Sequence, residues 1–388
     1  MKTAILALAL ATAAFGQEDN STNSSSMSLT AVLGANPQLS SLLGLLQPYQ
    51  QNFASLNNIT LLAPNNDAIS QFLNSSTGAA VGTQPALVQA ILNYHVLQGN
   101  YSNITNTSFV PTELRMGAYA NVTGGQRVMA LPGMNVTFFS GLLQNSSVVN
   151  ASIPFESGTI HVIDRLLTIP QNISATGVAL NLTSAVGALQ NTSLTQAVDT
   201  TPDLTFFIPN NAAFQRIGGN LANLSTADLA GILQYHVVPG QVLYSTNITM
   251  MNGSSIGTLS QGNNLTLRIE GNDVYVNQAR VITPNVLVRN GVVHVIDRVL
   301  NPMNSTAAPN TADTSATEQA FPSASSAETE PFTSGVATPT SSVATDAVSS
   351  AEASATATSS EGGAWRPMET GAMGMAALFG GAAAVFNM

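Results

Sequence analysis

The chain has 388 residues, of which 44% are hydrophobic and only 8% are charged, with ten Lys and Arg against twenty Asp and Glu. The net charge of -10 and a lone lysine, Lys2, exclude a nucleic-acid partner, because such a partner requires clustered cations. The absence of cysteine excludes disulfides, zinc–thiolate sites, iron–sulfur clusters and thiol nucleophiles. Each domain must therefore fold on its hydrophobic core alone, and the length predicts two domains.

The N-terminal segment 1–16, MKTAILALALATAAFG, predicts a signal peptide. One positive residue precedes an apolar run from Ala4 to Ala11, and the small residues Ala14 and Gly16 stand just before a cut at Gln17. The run is about half as long as a membrane span, which leaves a buried N-terminal helix as the alternative. We therefore expect a secreted protein.

Sites for N-glycosylation, of the form Asn-x-Ser/Thr, are unusually dense. Such sites predict glycans that would hydrate a surface with few charges, although an Asn-, Ser- and Thr-rich composition also produces some by chance. The eighteen positions are Asn20, Asn23, Asn58, Asn74, Asn103, Asn106, Asn121, Asn135, Asn145, Asn150, Asn172, Asn181, Asn191, Asn223, Asn247, Asn252, Asn264 and Asn304.

The middle of the chain contains an internal repeat. Three segments occur twice in the same order: TLLAPNNDAI (60–69) returns as TFFIPNNAAF (205–214), ILNYHV (91–96) as ILQYHV (232–237), and GTIHVIDRLL (158–167) as GVVHVIDRVL (291–300). The spacing is that of a duplicated domain and is too long for a solenoid repeat.

The same element order is predicted for each copy. The first segment is a short strand ended by Pro64 or Pro209, followed by a helix that Asn66 or Asn211 can cap. The second is a helix whose inner stripe includes a histidine, with the spacing i, i+3, i+4, i+7. Short β-like runs follow, and the apolar IHVID and VHVID segments are strands buried on both faces. The predicted stripes are Val88, Ile91, Leu92 and His95 in the first copy, and Leu229, Ile232, Leu233 and His236 in the second. The fold class is therefore α+β.

This ordered set of motifs resembles the fasciclin domain family, and the resemblance covers about residues 26–302. It implies two tandem domains, at 26–169 and 171–302, each a β-sandwich-like wedge with packed helices. It also implies adhesion or matrix interaction outside the cell. In the family the Tyr–His region has been linked to receptor binding, which carries over to Tyr94, His95, Tyr235 and His236.

The remaining polar residues shared by the copies are expected to serve the fold. A metal site needs three or four converging ligands, and each copy offers two histidines and few carboxylates. The strand-end aspartates are expected to bind backbone donors or pair locally, although Asp near His also permits a catalytic reading. No H-E-x-x-H, P-loop or dinucleotide motif is present, and a Ser-His-Asp arrangement would need a nucleophile positioned on a strand-to-helix elbow, so we predict no enzyme and no cofactor. The expected structural residues include His161, Asp164, His294 and Asp297.

The C-terminal part of the chain changes composition at Met303. Of the 59 residues from Met303 to Glu361, 24 are Ser or Thr and seven are acidic, which predicts a disordered, O-glycosylated stalk. Small residues, a polar spacer and an apolar end then occupy 362–388, the pattern of a glycosylphosphatidylinositol anchor signal. We expect attachment at Gly362, with Gly363 and Ser360 as alternatives, or else a merely apolar disordered end.

The sequence thus predicts a non-catalytic adhesion protein held on the outer face of the plasma membrane or in the cell wall. Its expected partners are cell-surface, extracellular-matrix or cell-wall components, and the membrane through the lipid anchor. The alternative is an extracellular binding module for a small apolar ligand or a cell-wall polysaccharide, in a groove between helices and sheet. An enzyme is the third possibility.

Overall fold

The computed structural model describes residues 27–306, except 82 and 222, together with 320–321 and 324–338. Two units of the same α+β design follow each other along the chain. The first unit, domain 1, is built from α1 (Leu29–Ala35), α2 (Ser40–Leu46), α3 (Gln50–Ala54), β1 (Ile59–Pro64), α4 (Asn66–Leu73), α5 (Ser76–Val81), α6 (Pro85–Tyr94), β2 (Val96–Gln98), β3 (Ser108–Pro111), β4 (Arg127–Leu131), β5 (Thr137–Phe139), β6 (Asn145–Phe155) and β7 (Gly158–Ile163).

The second unit, domain 2, repeats this order with small differences in the helices. Its elements are α7 (Ile173–Ala179), α8 (Thr183–Asn191), α9 (Thr195–Thr200), β8 (Leu204–Pro209), α10 (Asn211–Arg216), α11 (Gly218–Leu221), α12 (Thr226–Tyr235), β9 (Val237–Val238), α13 (Ser245–Ile248), β10 (Ser255–Gly257), β11 (Asn264–Glu270), β12 (Asp273–Val276), β13 (Ala279–Val288) and β14 (Gly291–Ile296).

The two sheets have the same topology. In domain 1 the strand order is β2-β1-β7-β6-β5-β4-β3, and in domain 2, from the opposite edge, it is β9-β8-β14-β13-β12-β11-β10. The first and last strands of each domain pair in parallel, whereas the other pairs are antiparallel. The repeat seen in the sequence is therefore a duplication of the whole fold.

A long strand bends each sheet into the two leaves of a wedge. The register of β6 shifts twice against β7, and that of β13 shifts twice against β14. Bulges of this kind bend the strand that carries them. The residues at the bends, Ser152 and Asn285, both have positive φ, at 59° and 61°.

Most predicted elements lie where the sequence places them. The runs RVMAL and DVYV form β4 and β12, and each HVI(D) segment forms the buried strand β7 or β14 in the middle of its sheet. The predicted caps differ by one residue, because Asn65 and Asn210 accept the hydrogen bonds from Ala68 and Ala213 at the starts of α4 and α10.

The two asparagines that were predicted as caps join two helices instead. The side-chain oxygen of Asn66 accepts a hydrogen bond from the Ser41 N–H at 3.0 Å, and that of Asn211 accepts one from the Ser184 N–H at 3.1 Å. They therefore tie α2 to α4 and α8 to α10. Pro64 and Pro209 end the two strands as expected.

Residues 320–321 and 324–338, within the stretch predicted to be a disordered stalk, pack on domain 2 instead. Phe321 is buried in the core of domain 2, and the ring of Phe332 packs edge-on against Phe214, with centroids 6.3 Å apart. We call residues 324–338 the strap. Phe321 and Phe332 are the aromatic residues of the stretch from Met303 to Glu361, and burying them supplies the apolar area that the stretch otherwise lacks.

Several predictions fall outside the described residues. They are the signal peptide at 1–16, the remainder of the stalk, the anchor signal at 362–388 and the attachment at Gly362. Among the residues that are described, no single helix has the length and apolar character to cross a membrane. One helix pair, Leu29–Ala35 and Pro37–Phe53, passes that test jointly, but it is bent by 115°.

Candidate functional site

The tyrosines of the two Tyr–His pairs lie inside their domains. Tyr94 and Tyr235 are fully buried. Their hydroxyls donate hydrogen bonds to the backbone carbonyl oxygens of Arg127 and Asn264, at 2.9 and 2.8 Å. Burial raises the pKa of both tyrosines. Each tyrosine thus joins a helix end to the strand that it packs on.

The adjacent histidines end the helices α6 and α12. His95 Nδ1 lies 2.8 Å from the carbonyl oxygen of Ile91, and His236 Nδ1 lies 2.7 Å from that of Ile232. The Nε2 atoms accept hydrogen bonds from the backbone N–H groups of Leu167 and Leu300, at 3.0 and 2.9 Å. Each ring therefore joins the end of a helix to the chain that leaves the last strand.

This placement corrects the expectation that Tyr94, His95, Tyr235 and His236 form a binding surface. None of the four side chains is more than 2% exposed. The helix turns its histidine toward the sheet, as its apolar spacing predicts, and the preceding tyrosine is carried inward with it because both flank the helix end. A partner that approaches the folded protein does not reach these side chains.

The second pair of histidines supports the bends in the sheets. The N–H of Ser152 donates to His161 Nδ1 at 3.1 Å, and the N–H of Asn285 donates to His294 Nδ1 at 3.4 Å. The opposite ring nitrogens lie 2.7 Å from the carbonyl oxygens of Tyr101 and Leu243. The bulges remove these N–H groups from the ladder, and the two histidines satisfy them.

All four rings are fixed in one neutral form. A carbonyl oxygen requires a ring N–H, and a backbone N–H requires a ring lone pair, so each imidazole holds a single proton at a defined nitrogen. Burial lowers the pKa of His95, His236 and His294 to about 4, and it also lowers the pKa of His161. A second proton would place two donors face to face.

The strand-end aspartates accept hydrogen bonds from backbone donors. Asp164 accepts a hydrogen bond from the N–H of Ser147 at 2.7 Å, and Asp297 accepts one from the N–H of Arg280 at 2.8 Å. Neither carboxylate makes a hydrogen bond to a histidine ring in the part of the chain that is described. In the same part, no group of three or more His, Asp or Glu side chains could hold a metal ion.

The glycosylation sites within the two domains lie mostly on the exterior. All of their asparagines are exposed except Asn121 and Asn172, which are half-buried. Asn172 caps α7 by accepting a hydrogen bond from Ala175 at 2.9 Å. Asn121 donates its side-chain N–H to the carbonyl oxygen of Thr200 in domain 2, at 2.9 Å. The sequence alone does not show that this one site lies between the domains.

An apolar groove that none of the sequence motifs indicates opens on the helical face of domain 1. We call it the α2–α4 groove; it contains a cavity of about 40 Å³ whose lining includes Leu42, Leu45, Ile69, Phe72, Leu73 and Val88. His95 is the one polar side chain of the lining, and both of its ring nitrogens are engaged. A signal was available, because the leucines of SLLGLL (41–46) cover more than one face of the short helix α2.

The known proteins that resemble this chain contain fasciclin domains. A model of the Fasciclin domain matches residues 37–170 and 180–302. The chain is 39% identical over 290 residues to a fasciclin-like arabinogalactan protein of Arthroderma benhamiae, which covers 73% of this chain and 68% of that protein. It is 30% identical over 292 residues to a fasciclin-like arabinogalactan protein of Phaeosphaeria nodorum, covering 71% of this chain and 89% of that protein. A solved FAS1 domain pair from the insect cell adhesion molecule fasciclin I matches with a TM-score of 0.34 and 17% identity, over 69% of this chain and 97% of that one.

Proposed function

Because this chain belongs to the fasciclin domain family, we propose that it acts outside the cell as a non-catalytic adhesion and matrix-interaction protein. The proposal is carried by the use of the four repeated histidines. Each one is neutral, and both of its ring nitrogens form hydrogen bonds with backbone groups of its own domain. The residues best suited to acid–base chemistry therefore stabilise the fold, and the outer surface is left to bind.

The two domains supply two binding bodies in a fixed arrangement. The N–H of Asn121 in domain 1 donates to the carbonyl oxygen of Arg289 in domain 2 at 2.7 Å. The N–H of Thr123 donates to Asp203 Oδ1, also at 2.7 Å. Apolar residues of β4 and β5 also pack into the main core of domain 2. Two weak sites held together, and displayed in many copies, gain affinity through effective concentration.

Glycans are proposed to set which surfaces can bind. With exposed Asn-x-Ser/Thr sites on both domains, attached sugars would hydrate a surface that carries few charges. They would also shield the regions around them from partners. Contacts are then expected at short range on the glycan-free surface, because low charge gives little long-range electrostatic steering.

The strap changes the proposed geometry of display. We propose a signal peptide at the N-terminus, a glycosylated stalk after domain 2, and a lipid anchor attached at Gly362. A free stalk over 303–361 would reach at most about 190 Å from the membrane. With the strap held on domain 2, the spacer shortens to 339–361, which spans at most about 76 Å. The domains would then stand nearer to the cell surface.

The alternative of a polysaccharide-binding module fits the α2–α4 groove poorly. Sugars are recognised through hydrogen bonds to their hydroxyls, and the groove offers an apolar lining whose polar member, His95, is already bonded at both nitrogens. The groove suits an apolar side chain or chain instead.

Beads coated with the full glycosylated chain test the proposal. Attachment to cell and matrix surfaces is measured at graded coating densities, with an unrelated glycoprotein as the control coating. We expect attachment to rise more steeply than in proportion to density, because multivalent contact requires several bonds at once. Attachment no greater than that of the control beads at every density would overturn the adhesive function.

A further inference from the structure

The strap crosses the helical face of domain 2 along an irregular path that turns at Phe332, where φ is 63°. The N–H of Gly219 donates to the carbonyl oxygen of Ser325, and the N–H of Ala327 donates to that of Gln215, both at 2.9 Å. Further along, Glu330 accepts a hydrogen bond from the Asn211 side chain at 2.8 Å. Domain 2 therefore holds a peptide of its own chain by main-chain hydrogen bonds and an aromatic anchor.

Small residues of domain 2 make room for this peptide. A Cβ added at Gly187, in α8, would collide with the carbonyl oxygen of Phe332, and one added at Gly218 would collide with Ala327. With the strap against Gly187, and α7, α10 and α12 packed on its other sides, residues 183–189 of α8 are all buried. A helix that has no exposed face is packed on every side, so another segment of protein must lie on its outer side.

The α2–α4 groove is the same surface of domain 1 without its cover. Ser41 and Ser184 bind equivalent asparagines, so Gly44 of α2 corresponds to Gly187 of α8. A Cβ at Gly44 would meet nothing within 4 Å. Leu45 is half-buried and Leu73 is 47% exposed, whereas the whole of 183–189 is buried.

The core side chains beneath the groove are also smaller than those at the same positions of domain 2. Domain 2 has Phe206 and Phe214 on the helical side of its core, and both are fully buried. Domain 1 has the smaller Leu61 and Ile69 at the equivalent positions, and both line the cavity. An apolar cavity of this kind stays dry, so filling it with an apolar side chain carries no cost for displacing bound water. An aromatic side chain entering from outside would supply the missing volume.

We propose that the α2–α4 groove of domain 1 binds a short peptide segment of a partner protein, anchored by an aromatic side chain between Gly44 and Ile69. This rests on the proposed adhesive function and names the chemistry of its partner. The expected peptide resembles the part of the strap around Phe332, because similar residues face that part in both domains. They are Gly187, Asn211 and Phe214 in domain 2, and Gly44, Asn66 and Ile69 at the equivalent positions of domain 1. Its path must differ near Leu73, which replaces Gly218 at the rim.

A photo-crosslinking peptide tests the proposal on the intact glycosylated chain. The probe is the sequence ETEPFTSG with benzoylphenylalanine in place of its phenylalanine, and attachment points are mapped by peptide mass spectrometry. Because the tethered strap already occupies domain 2, we expect labelling on α2 and α4 of domain 1. An excess of unlabelled ETEPFTSG should reduce it at least tenfold, and an excess of ETEPATSG should not.

The variant Gly44→Ala separates binding from folding. Its methyl group has open space in the folded chain but would meet the peptide backbone, as a Cβ at Gly187 meets the strap. We expect at least a tenfold loss of labelling with no fall in melting temperature. The control, Gly231→Ala, adds a methyl group to another open helical position, in α12, and should keep full labelling.

Three results would overturn the proposal: no labelling of domain 1, equal labelling in Gly44→Ala, or a small apolar molecule that co-purifies in the cavity and blocks the probe. In all three cases, beads coated with the chain would still attach if the adhesive function is correct. Failure of the peptide site is therefore distinguishable from failure of the adhesive function.

Discussion

The ring of Phe109 in domain 1 stacks on the ring of Tyr244 in domain 2, with centroids 4.1 Å apart and planes 12° from parallel. Gln126 of domain 1 also reaches domain 2. Its fully buried side chain donates hydrogen bonds to the backbone carbonyl oxygens of Val288 and Arg289, at 3.0 and 3.2 Å. Apolar stacking and buried hydrogen bonds thus join the two domains, so their outer surfaces keep one relative orientation.

The first prediction concerns this junction. Phe109→Ala removes the stack and part of the apolar contact, and we expect it to lower the free energy of unfolding by about 1–2 kcal/mol. Differential scanning calorimetry should show the single transition broadening or splitting as the domains uncouple. The control is Met134→Ala, at a fully exposed position of the same domain, which should leave the trace unchanged. An unaltered transition in Phe109→Ala would mean that the stack does not couple the domains.

The second prediction is a loss of stability in mild acid. The pKa of His95, His236 and His294 is about 4 in the folded chain, against an ordinary value of 6.5. Between these values the unfolded chain binds more protons, so the stabilisation is complete above pH 6.5 and is lost as the pH falls toward 4. Each histidine contributes a slope of about 1.4 kcal/mol per pH unit.

Urea unfolding between pH 7 and pH 5 measures this effect in a range where most carboxylates stay ionised. We expect the midpoint to fall steadily as the pH is lowered. A midpoint that is constant or rises over this range would contradict the assignment of neutral, buried histidines.

The third prediction concerns the strap. Gly187→Ala places a methyl group against the carbonyl oxygen of Phe332, so the strap must shift or detach. We expect a loss of about 1–3 kcal/mol, the usual cost of overpacking, and faster protease cleavage within 324–338. Gly231→Ala adds the same group to an open helical position of the same domain and should resist protease like the unaltered chain. Equal cleavage of the two variants would show that Gly187 does not hold the strap.

The fourth prediction concerns glycan occupancy. Asn121 is half-buried and its side chain donates a hydrogen bond across the domain boundary, whereas Asn135 and Asn150 are exposed on domain 1. A glycan on Asn121 would separate the domains, so we expect this site to be largely unmodified and the other two to be occupied. Glycopeptide mass spectrometry after enzymatic release in water labelled with a heavy oxygen isotope measures the occupancy of each site. Full occupancy of Asn121 would contradict the closed junction.

Local patterns in the sequence predict much of this fold. The spacing of Ile91 and Leu92 before His95 indicates a helix with the histidine turned inward, and the apolar run around His294 indicates a central strand. Both are confirmed, because burial of an element leaves a periodic pattern in its own residues. The duplicated order of the motifs likewise predicts two copies of one fold.

Features that depend on contacts between distant segments were beyond the sequence patterns. The sequence marks the Tyr–His pairs as a candidate binding surface, yet Tyr94 and Tyr235 are buried by strands far along the chain. The cover provided by Phe332 depends on a glycine in α8, more than a hundred residues earlier. Neither relationship leaves a periodic signal, since each consists of one residue meeting one distant surface.

Attachment by living cells tests the central claim most directly. Three cell lines are compared: one without the chain, one that displays the whole chain, and one that secretes residues 1–361 without the anchor signal. We predict that cells lacking the chain attach poorly to one another and to matrix, and that only the displayed chain restores attachment. Full restoration by the secreted form, or none by the displayed form, would contradict an adhesive role at the cell surface.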